Sequence, residues 1–296
     1  MSVDKLVDSS QLDADLTSVA NAIRAKSGGS SQLAFPAGFV SEIGNISGGG
    51  GYTIDDLCDS ASNPSGAVTI DNATSIGNYA FAGRTGITSI SSNSVTTIYK
   101  WAFERCDNLL DVSFPNLLCI REDPNRTNYS YSLSTFNGCS SLRSVYMPKL
   151  EHIYGGSCFS GKTDDNTGGC GTSSLVFVFP SIKDIPYTCF SACYAQMYDI
   201  GPNCEGIYAD AFYGRNAAFQ RNRTVILRRT AGVVVAKTSD SIREITDVYC
   251  PQSLIASYQA ATNWSTRYNG GYITFHKIEG STYETHYADG TTIPTS

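Results

Sequence analysis

The chain is predicted to fold as a β-rich solenoid of short strands and short helical turns, led by an N-terminal helix and closed by a C-terminal α/β cap. Three observations predict it. The hexapeptide Ile76-Gly-Asn-Tyr-Ala80-Phe81 returns as Ile98-Tyr-Lys-Trp-Ala102-Phe103, and Ile185-Pro-Tyr-Thr-Cys189-Phe190 returns as Ile207-Tyr-Ala-Asp-Ala211-Phe212, each time after 22 residues. Degenerate copies at 132–136 and 153–159 fill the interval. A fixed period of this size marks a stacked-repeat architecture. The composition agrees: 41% hydrophobic, only 16% charged and 27 Gly among 296 residues, a balance that fits a turn-rich β protein rather than a helical bundle.

Residues 1–46 are expected to form a helical anchor or oligomerisation segment. Leu12, Leu16, Val19 and Ile23 step by four, three and four and so share one helix face. Ser9 or Ser10 caps its start, and Ser27-Gly28-Gly29 stops it. An isolated helix of this length is marginal in water. The stripe therefore needs a partner, either its own chain or another subunit; the linker-like segment that follows favours the second. Phe35-Pro-Ala-Gly-Phe39 opens a second short apolar patch, and the Gly-rich stretch 47–52 reads as a flexible joint.

Residues 53–229 carry the repeat. After Phe103 come Cys106, Leu109, Val112 and Phe114, and the next repeat Ile is Ile120. The Ala-Phe portion suits one tight helical turn, the alternating stretch 109–114 a strand, and 117–120 a second short strand. One unit cannot bury its Ile, Phe, Leu and Val alone; stacked units place each above its equivalent in a continuous column. Phe81, Phe103, Phe136, Phe159, Phe190 and Phe212 are expected to form one such column. The period breaks where extra chain enters, at 121–131, at 162–170 and at 215–223. Insertions into a solenoid emerge as loops on one face, often the functional one. Residues 230–296 are expected to form a cap and tail: a last strand at 248–251, a short helix at 253–262, a strand at 271–275 and a polar end.

The formal charge of −6 and the lack of a Lys/Arg block argue against nucleic acid as a partner. No apolar run approaches the length of a membrane span. The start has no basic region followed by an apolar core, so no signal peptide is expected and the protein is expected to be soluble. Six of the ten cysteines occupy repeat-equivalent positions: Cys106, Cys139 and Cys193 three residues after a repeat Phe, Cys170 in the same slot after an insertion, and Cys158 and Cys189 just before the Phe. That placement favours a ladder of small buried thiols over a zinc site or stacked disulfides.

No nucleophile elbow, phosphate loop or metal motif is present, so no catalytic residue, cofactor or metal is expected. The pairs Asp55-Asp56 and Asp164-Asp165 read as solvated turns; the second, with Asn166, is also a weak Ca²⁺ candidate. The eighteen tyrosines are more informative. Tyr99, Tyr154 and Tyr208 each follow a repeat Ile and are expected to line one exterior strip, either as a ladder that steadies neighbouring coils or as flat rings for a sugar or a protein epitope. The binding candidates are Arg126, Tyr129, Tyr131, Asp164, Asp165, Arg215, Arg221 and Arg223, all in the insertions.

The motif Ile-Gly-x-x-Ala-Phe-x-x-Cys-x-x-Leu-x-x-Val resembles the BspA-type leucine-rich repeats of bacterial surface proteins and phage structural proteins. The resemblance covers about residues 67–228 and implies a right-handed solenoid used for adhesion or protein binding. The stretch from Ala20 to Phe39 is similar to an N-terminal segment common in virion proteins of phages that infect Gram-positive bacteria, and the stretch from Val248 to Trp264 to the cap that ends such arrays. Secreted BspA-like adhesins carry a secretion signal and wall-binding modules, and this chain departs from them on both counts. The resemblance implies a non-enzymatic phage virion protein, such as a tail fibre, spike or decoration subunit, located in the virion. The expected partners are other virion proteins and a host surface glycan or protein, with no nucleic acid and no membrane insertion; a homotrimer is the favoured stoichiometry because many weak contacts then sum through effective concentration. A structural joint that touches no host, and a secreted adhesin, are the alternatives.

Overall fold

The computed structural model describes residues 17, 20, 21, 64–70, 72–122, 132–161, 168–214, 222–265 and 271–285. The chain divides into two compact units, Met1–Gly51 and Tyr52–Ser296. In the first, Thr17, Ala20 and Asn21 are helical and Ala20 is buried. The stripe residues Leu12, Leu16, Val19 and Ile23 lie outside the described residues.

The second unit is a succession of coils, most with one longer and one shorter strand. The first coils contribute β1 (Gly66–Thr69), β2 (Ser75–Ile76), β3 (Ile87–Ser91), β4 (Thr97–Tyr99), β5 (Asp111–Ser113), β6 (Cys119–Arg121), β7 (Ser144–Tyr146) and β8 (His152–Ile153). The later ones contribute β9 (Val176–Phe179), β10 (Asp184–Ile185), β11 (Met197–Ile200), β12 (Gly206–Ile207), β13 (Arg223–Leu227), β14 (Val235–Ala236), β15 (Ile245–Cys250) and β16 (Thr274–Lys277). The longer strands form sheets β1-β3-β5-β7 and β16-β15-β13-β11-β9, and the shorter strands form β2-β4-β6-β8 and β10-β12-β14. Every pairing between named strands is parallel. Across the break between β8 and β10, Lys183 N donates to Glu151 O at 2.9 Å, which carries the short face on.

In-register parallel pairing turns the sequence period into columns. Ile76 pairs with Ile98, Ile98 with Ile120 and Ile120 with Ile153, and all four are buried. On the long face Ile90 pairs with Val112 and Val112 with Val145. The alternation Ser89-Ile90-Ser91 sends Ile90 inward and the serines outward, as the two-residue strand period requires.

The six phenylalanines form the expected column. Successive ring centroids from Phe81 through Phe103, Phe136, Phe159 and Phe190 to Phe212 are 5.2, 5.0, 5.0, 5.9 and 5.6 Å apart, all stacked. Ile242 takes the next place, since Asp210 N donates to Asp240 O and Ile242 is buried.

The segment around each Phe differs from the expected helical turn. Tyr79, Phe81 and Gly83 donate their N–H groups to Lys100, Ala102 and Glu104 of the next coil, while Ala80, Ala82 and Arg84 donate three residues back within the turn. The residue two before the Phe has positive φ in all six coils: Tyr79, Trp101, Ser134, Ser157, Thr188 and Asp210 lie between 45° and 60°. The residue two after it is positive again at Gly83, Arg105, Gly138 and Ala192. A right-handed helix would return every N–H to its own coil; interleaved left-handed residues turn alternate N–H groups along the stack and extend the ladder around the corner.

The thiols form the expected ladder among the described residues, where every cysteine is free. Cys106 Sγ donates to Phe81 O at 3.0 Å, Cys139 Sγ to Phe103 O at 3.1 Å and Cys170 Sγ to Phe136 O at 3.4 Å. Each small thiol thus meets the carbonyl of the preceding Phe, which satisfies a buried acceptor.

The ladder continues past residue 229. β15 pairs with β13, and β16 follows it with Val248 opposite Phe275, so the strand expected at 271–275 lies three residues later, where Phe275 enters the core register. A 3-10 turn at Gln252–Leu254 leads into helix α1 (Ile255–Ala260), shorter than the expected 253–262. Tyr258 and Trp264 close this end. Val234 N donates to Tyr258 Oη at 3.0 Å, and Trp264 Nε1 donates to Val234 O at 2.8 Å, so both polar tips of these buried rings are satisfied.

Candidate binding surface

The described residues on either side of the three insertions lie beside the Phe turn. The first departs after Glu122, at the end of the short face, and returns at Ser132 just ahead of Phe136. The second departs after Gly161 and the third after Gly214, each two residues beyond its Phe. These ends therefore all flank one corner of the coil. Arg126, Tyr129, Tyr131, Asp164, Asp165, Arg215 and Arg221 lie outside the described residues.

Arg223 is described, and its placement corrects the expectation of a ligand-facing side chain. It is wholly buried. Its Nη1 donates to Tyr198 Oη at 2.7 Å and its Nη2 to Cys193 O at 3.1 Å. The cause is strand alternation: Arg223 opens β13 with an inward residue, and Val225 and Leu227 continue the same inward series.

Beside the first insertion the corner carries an aromatic platform. Tyr79 and Trp101 stack at 4.6 Å, and Lys100 Nζ sits 3.7 Å from the Trp101 ring centre. The same ammonium pairs with Glu122 at 3.3 Å, which fixes the root of the insertion against the platform. Positive φ at Tyr79 and Trp101 swings both side chains outward from the column of phenylalanines.

The expected tyrosine strip is present on the short face, and it contains more than tyrosine. The position after the repeat Ile is occupied in successive coils by Tyr99, Arg121, Tyr154, Pro186, Tyr208 and Lys237. Tyr154 is 63% exposed and Tyr208 42%. The Arg121 guanidinium lies 5.8 Å from the Tyr154 ring centre, and Lys237 Nζ lies 5.5 Å from that of Tyr208. His152 stacks on Tyr154 from its own coil at 5.1 Å. Arg121 and Lys237 escaped the sequence reading, which followed Tyr after Ile; the signal was the slot itself, since Arg121 follows Ile120 and Lys237 follows Ala236 in the same register.

Gly206 completes this arrangement. A Cβ there would lie 2.7 Å from Lys237 Cε and 2.9 Å from Asp184 Oδ1, so the missing side chain leaves a lane across which Lys237 approaches Asp184. Burial raises the Asp184 carboxyl above the usual range; Lys237 works against that shift and Glu205 adds to it.

A separate pocket of about 380 Å³ sits at the C-terminal end, lined by Pro202, Arg228, Pro251, Ile278, Glu279 and Glu284 among others. Its charged groups already serve the fold. Arg228 makes a bidentate pair with buried Asp199 at 2.7 and 2.8 Å, Glu279 accepts from Gln252 N, and Glu284 accepts from Gly280 N.

Residues 62–167 match the family described as BspA type leucine rich repeat region, in six copies. The match supports the repeat reading for that portion, and repeats of this type are consistent with an adhesion or binding role. The stacking described above runs on to Lys277, well beyond the matched stretch. No curated protein matches the chain.

Proposed function

We propose that this chain is a non-enzymatic virion structural protein of a phage, a fibre, spike or decoration subunit, whose solenoid presents its insertions to the surface of the host cell. The observation that carries the reading is that the described residues at the ends of all three insertions flank the Phe turn, the first of them next to the Tyr79–Trp101 platform. A rigid stack with variable loops gathered on one edge is the arrangement of a recognition scaffold. The N-terminal segment at 1–46 joins the chain to the particle or to sister subunits, with a trimer as the favoured stoichiometry. Three copies turn weak single contacts into firm attachment through effective concentration.

The test is made on particles. Replacing 123–131, 162–167 and 215–221 with short Gly-Ser links abolishes host-cell adsorption and leaves particle assembly intact. Normal adsorption with failed assembly is the result expected of a structural joint and overturns the reading. Immunogold labelling of an epitope inserted at 121–131 locates the chain on the particle.

A further inference from the structure

Resting on that reading but placed on a different part of the molecule, we propose that the strip on the short face is a binding lane for an acidic polysaccharide. The lane consists of Tyr99, Arg121, Tyr154, Pro186, Tyr208 and Lys237, one residue per coil. Six coils at the parallel-strand spacing extend for roughly 24 Å, a length suited to a linear chain rather than a compact ligand.

Two chemical features define the occupant. The first is the exposed rings of Tyr154 and Tyr208, set in register by the backbone ladder beneath them and flanked by His152, Arg121 and Lys237. Rigid tyrosine rings bind the apolar faces of sugar rings at little cost in side-chain entropy. The second is the cations beside the rings, Arg121 between Tyr99 and Tyr154 and Lys237 beyond Tyr208. Among the described residues Arg121 has no carboxylate within ion-pair distance, because the adjacent Glu122 is committed to Lys100. A guanidinium that always carries charge and has no anionic partner is suited to a carboxylate or a phosphate. Lys237 occupies the equivalent place beside Tyr208, steered across Gly206 toward Asp184.

The neighbouring lane restricts the charge density the occupant can have. Glu151, Lys183 and Glu205 follow one another in successive coils, joined by Lys183 N to Glu151 O at 2.9 Å and Glu205 N to Lys183 O at 2.7 Å. A nucleic acid strand, with a phosphate at each nucleotide, needs a continuous run of Lys and Arg, and here the three cations Arg121, Lys183 and Lys237 are interspersed with the carboxylates Glu151, Asp184 and Glu205 on a chain of net charge −6. A polysaccharide, with stackable rings throughout and acid groups at intervals, meets both features.

Affinity electrophoresis of the full chain tests this in gels containing polygalacturonate, neutral dextran or polythymidylate. The expected result is retardation by polygalacturonate alone, weakened by salt. Tyr154→Ala combined with Arg121→Gln is expected to reduce the apparent affinity at least tenfold with the same melting temperature, because both side chains lie outside the core. Tyr208→Ala, a second and independent variant, is expected to do the same. Absence of retardation by polygalacturonate, equal retardation by dextran or polythymidylate, or unchanged retardation of both variants overturns the proposal. Its failure is distinct from failure of the host-surface reading: adsorption that survives the strip variants and is lost with the insertions assigns recognition to the loops alone.

Discussion

Phe103 and Phe136 lie face to face, with ring centroids 5.0 Å apart and planes within 8° of parallel, although a whole insertion separates them in the chain. The core register is restored from Ser132, which bridges to Gly156 ahead of Phe136. Phe103 also packs on Phe81 and against Phe114. Phe103→Ala opens a cavity in the middle of the column and is expected to cost about 3–5 kcal/mol. In a stack where each coil contacts only its neighbours, that loss divides the array. Calorimetry of the variant should show a lowered and broadened transition; a melting curve like that of the parent contradicts the stacking.

Two glycines separate close packing from open space. A Cβ on Gly201 would collide with the backbone of Pro180 in the preceding coil. Gly201→Ala must push two coils apart and is expected to destabilise by about 1–3 kcal/mol. A Cβ on Gly77 meets nothing within 4 Å. Gly77→Ala is expected to be neutral or to stabilise by up to ~1 kcal/mol, through reduced freedom of the unfolded chain. Urea midpoints of the two variants check the contrast.

The thiol ladder makes stability depend on alkaline pH. Burial pushes the Cys106 thiol up to about 12, with smaller opposing and reinforcing effects from its neighbours, and burial likewise pushes Cys204 up to about 12. The unfolded thiols titrate near 9. Between these values the folded chain holds more protons than the unfolded chain, so unfolding becomes easier as pH rises. The contribution is complete below pH 9 and is lost progressively toward pH 12, at roughly 1 kcal/mol per pH unit for each such thiol. Denaturant unfolding in reductant at pH 8, 9 and 10 should show this decline, and Cys106→Ala should make it shallower.

Ion pairs of the same chemistry are expected to differ with burial. Arg228 and Asp199 are almost wholly enclosed and doubly hydrogen-bonded. Arg228 also donates to the carbonyls of Glu284 and Thr285, and so ties the C-terminal segment to the long face. Arg228→Met strands the Asp199 carboxylate and is expected to cost about 3–5 kcal/mol. Arg143 and Asp111 pair at 3.1 Å in solvent, and Arg143→Met is expected to leave the unfolding midpoint almost unchanged. Equal effects in thermal unfolding contradict the assignment.

The stack was legible because its signal is repetition. Ile, Phe and Cys recur at fixed offsets, and parallel pairing converts offset directly into contact; hence the Phe column, the placement of Cys170 after an insertion and the Tyr99, Tyr154 and Tyr208 strip were all readable. The turn was harder. Tyr79, Trp101, Ser134, Ser157, Thr188 and Asp210 share a left-handed backbone and no side-chain chemistry, so composition carries no trace of it. Arg223 misled because its charge and its place beside an insertion indicated the surface, whereas alternation along β13 sends it inward to Tyr198. Lys237 was hidden because Ala236 stands where the other coils have Ile, and only the ladder assigns it to the strip.

A pair of double-mutant cycles on the phenylalanine column is the most direct measurement. Phe103→Leu with Phe136→Leu probes neighbours in the stack, and Phe81→Leu with Phe212→Leu probes opposite ends. In-register stacking predicts a coupling of about 0.5–3 kcal/mol for the neighbours and additivity within about 0.5 kcal/mol for the distant pair. Additive neighbours, or equal coupling in both cycles, would contradict a stack of coils joined through these rings.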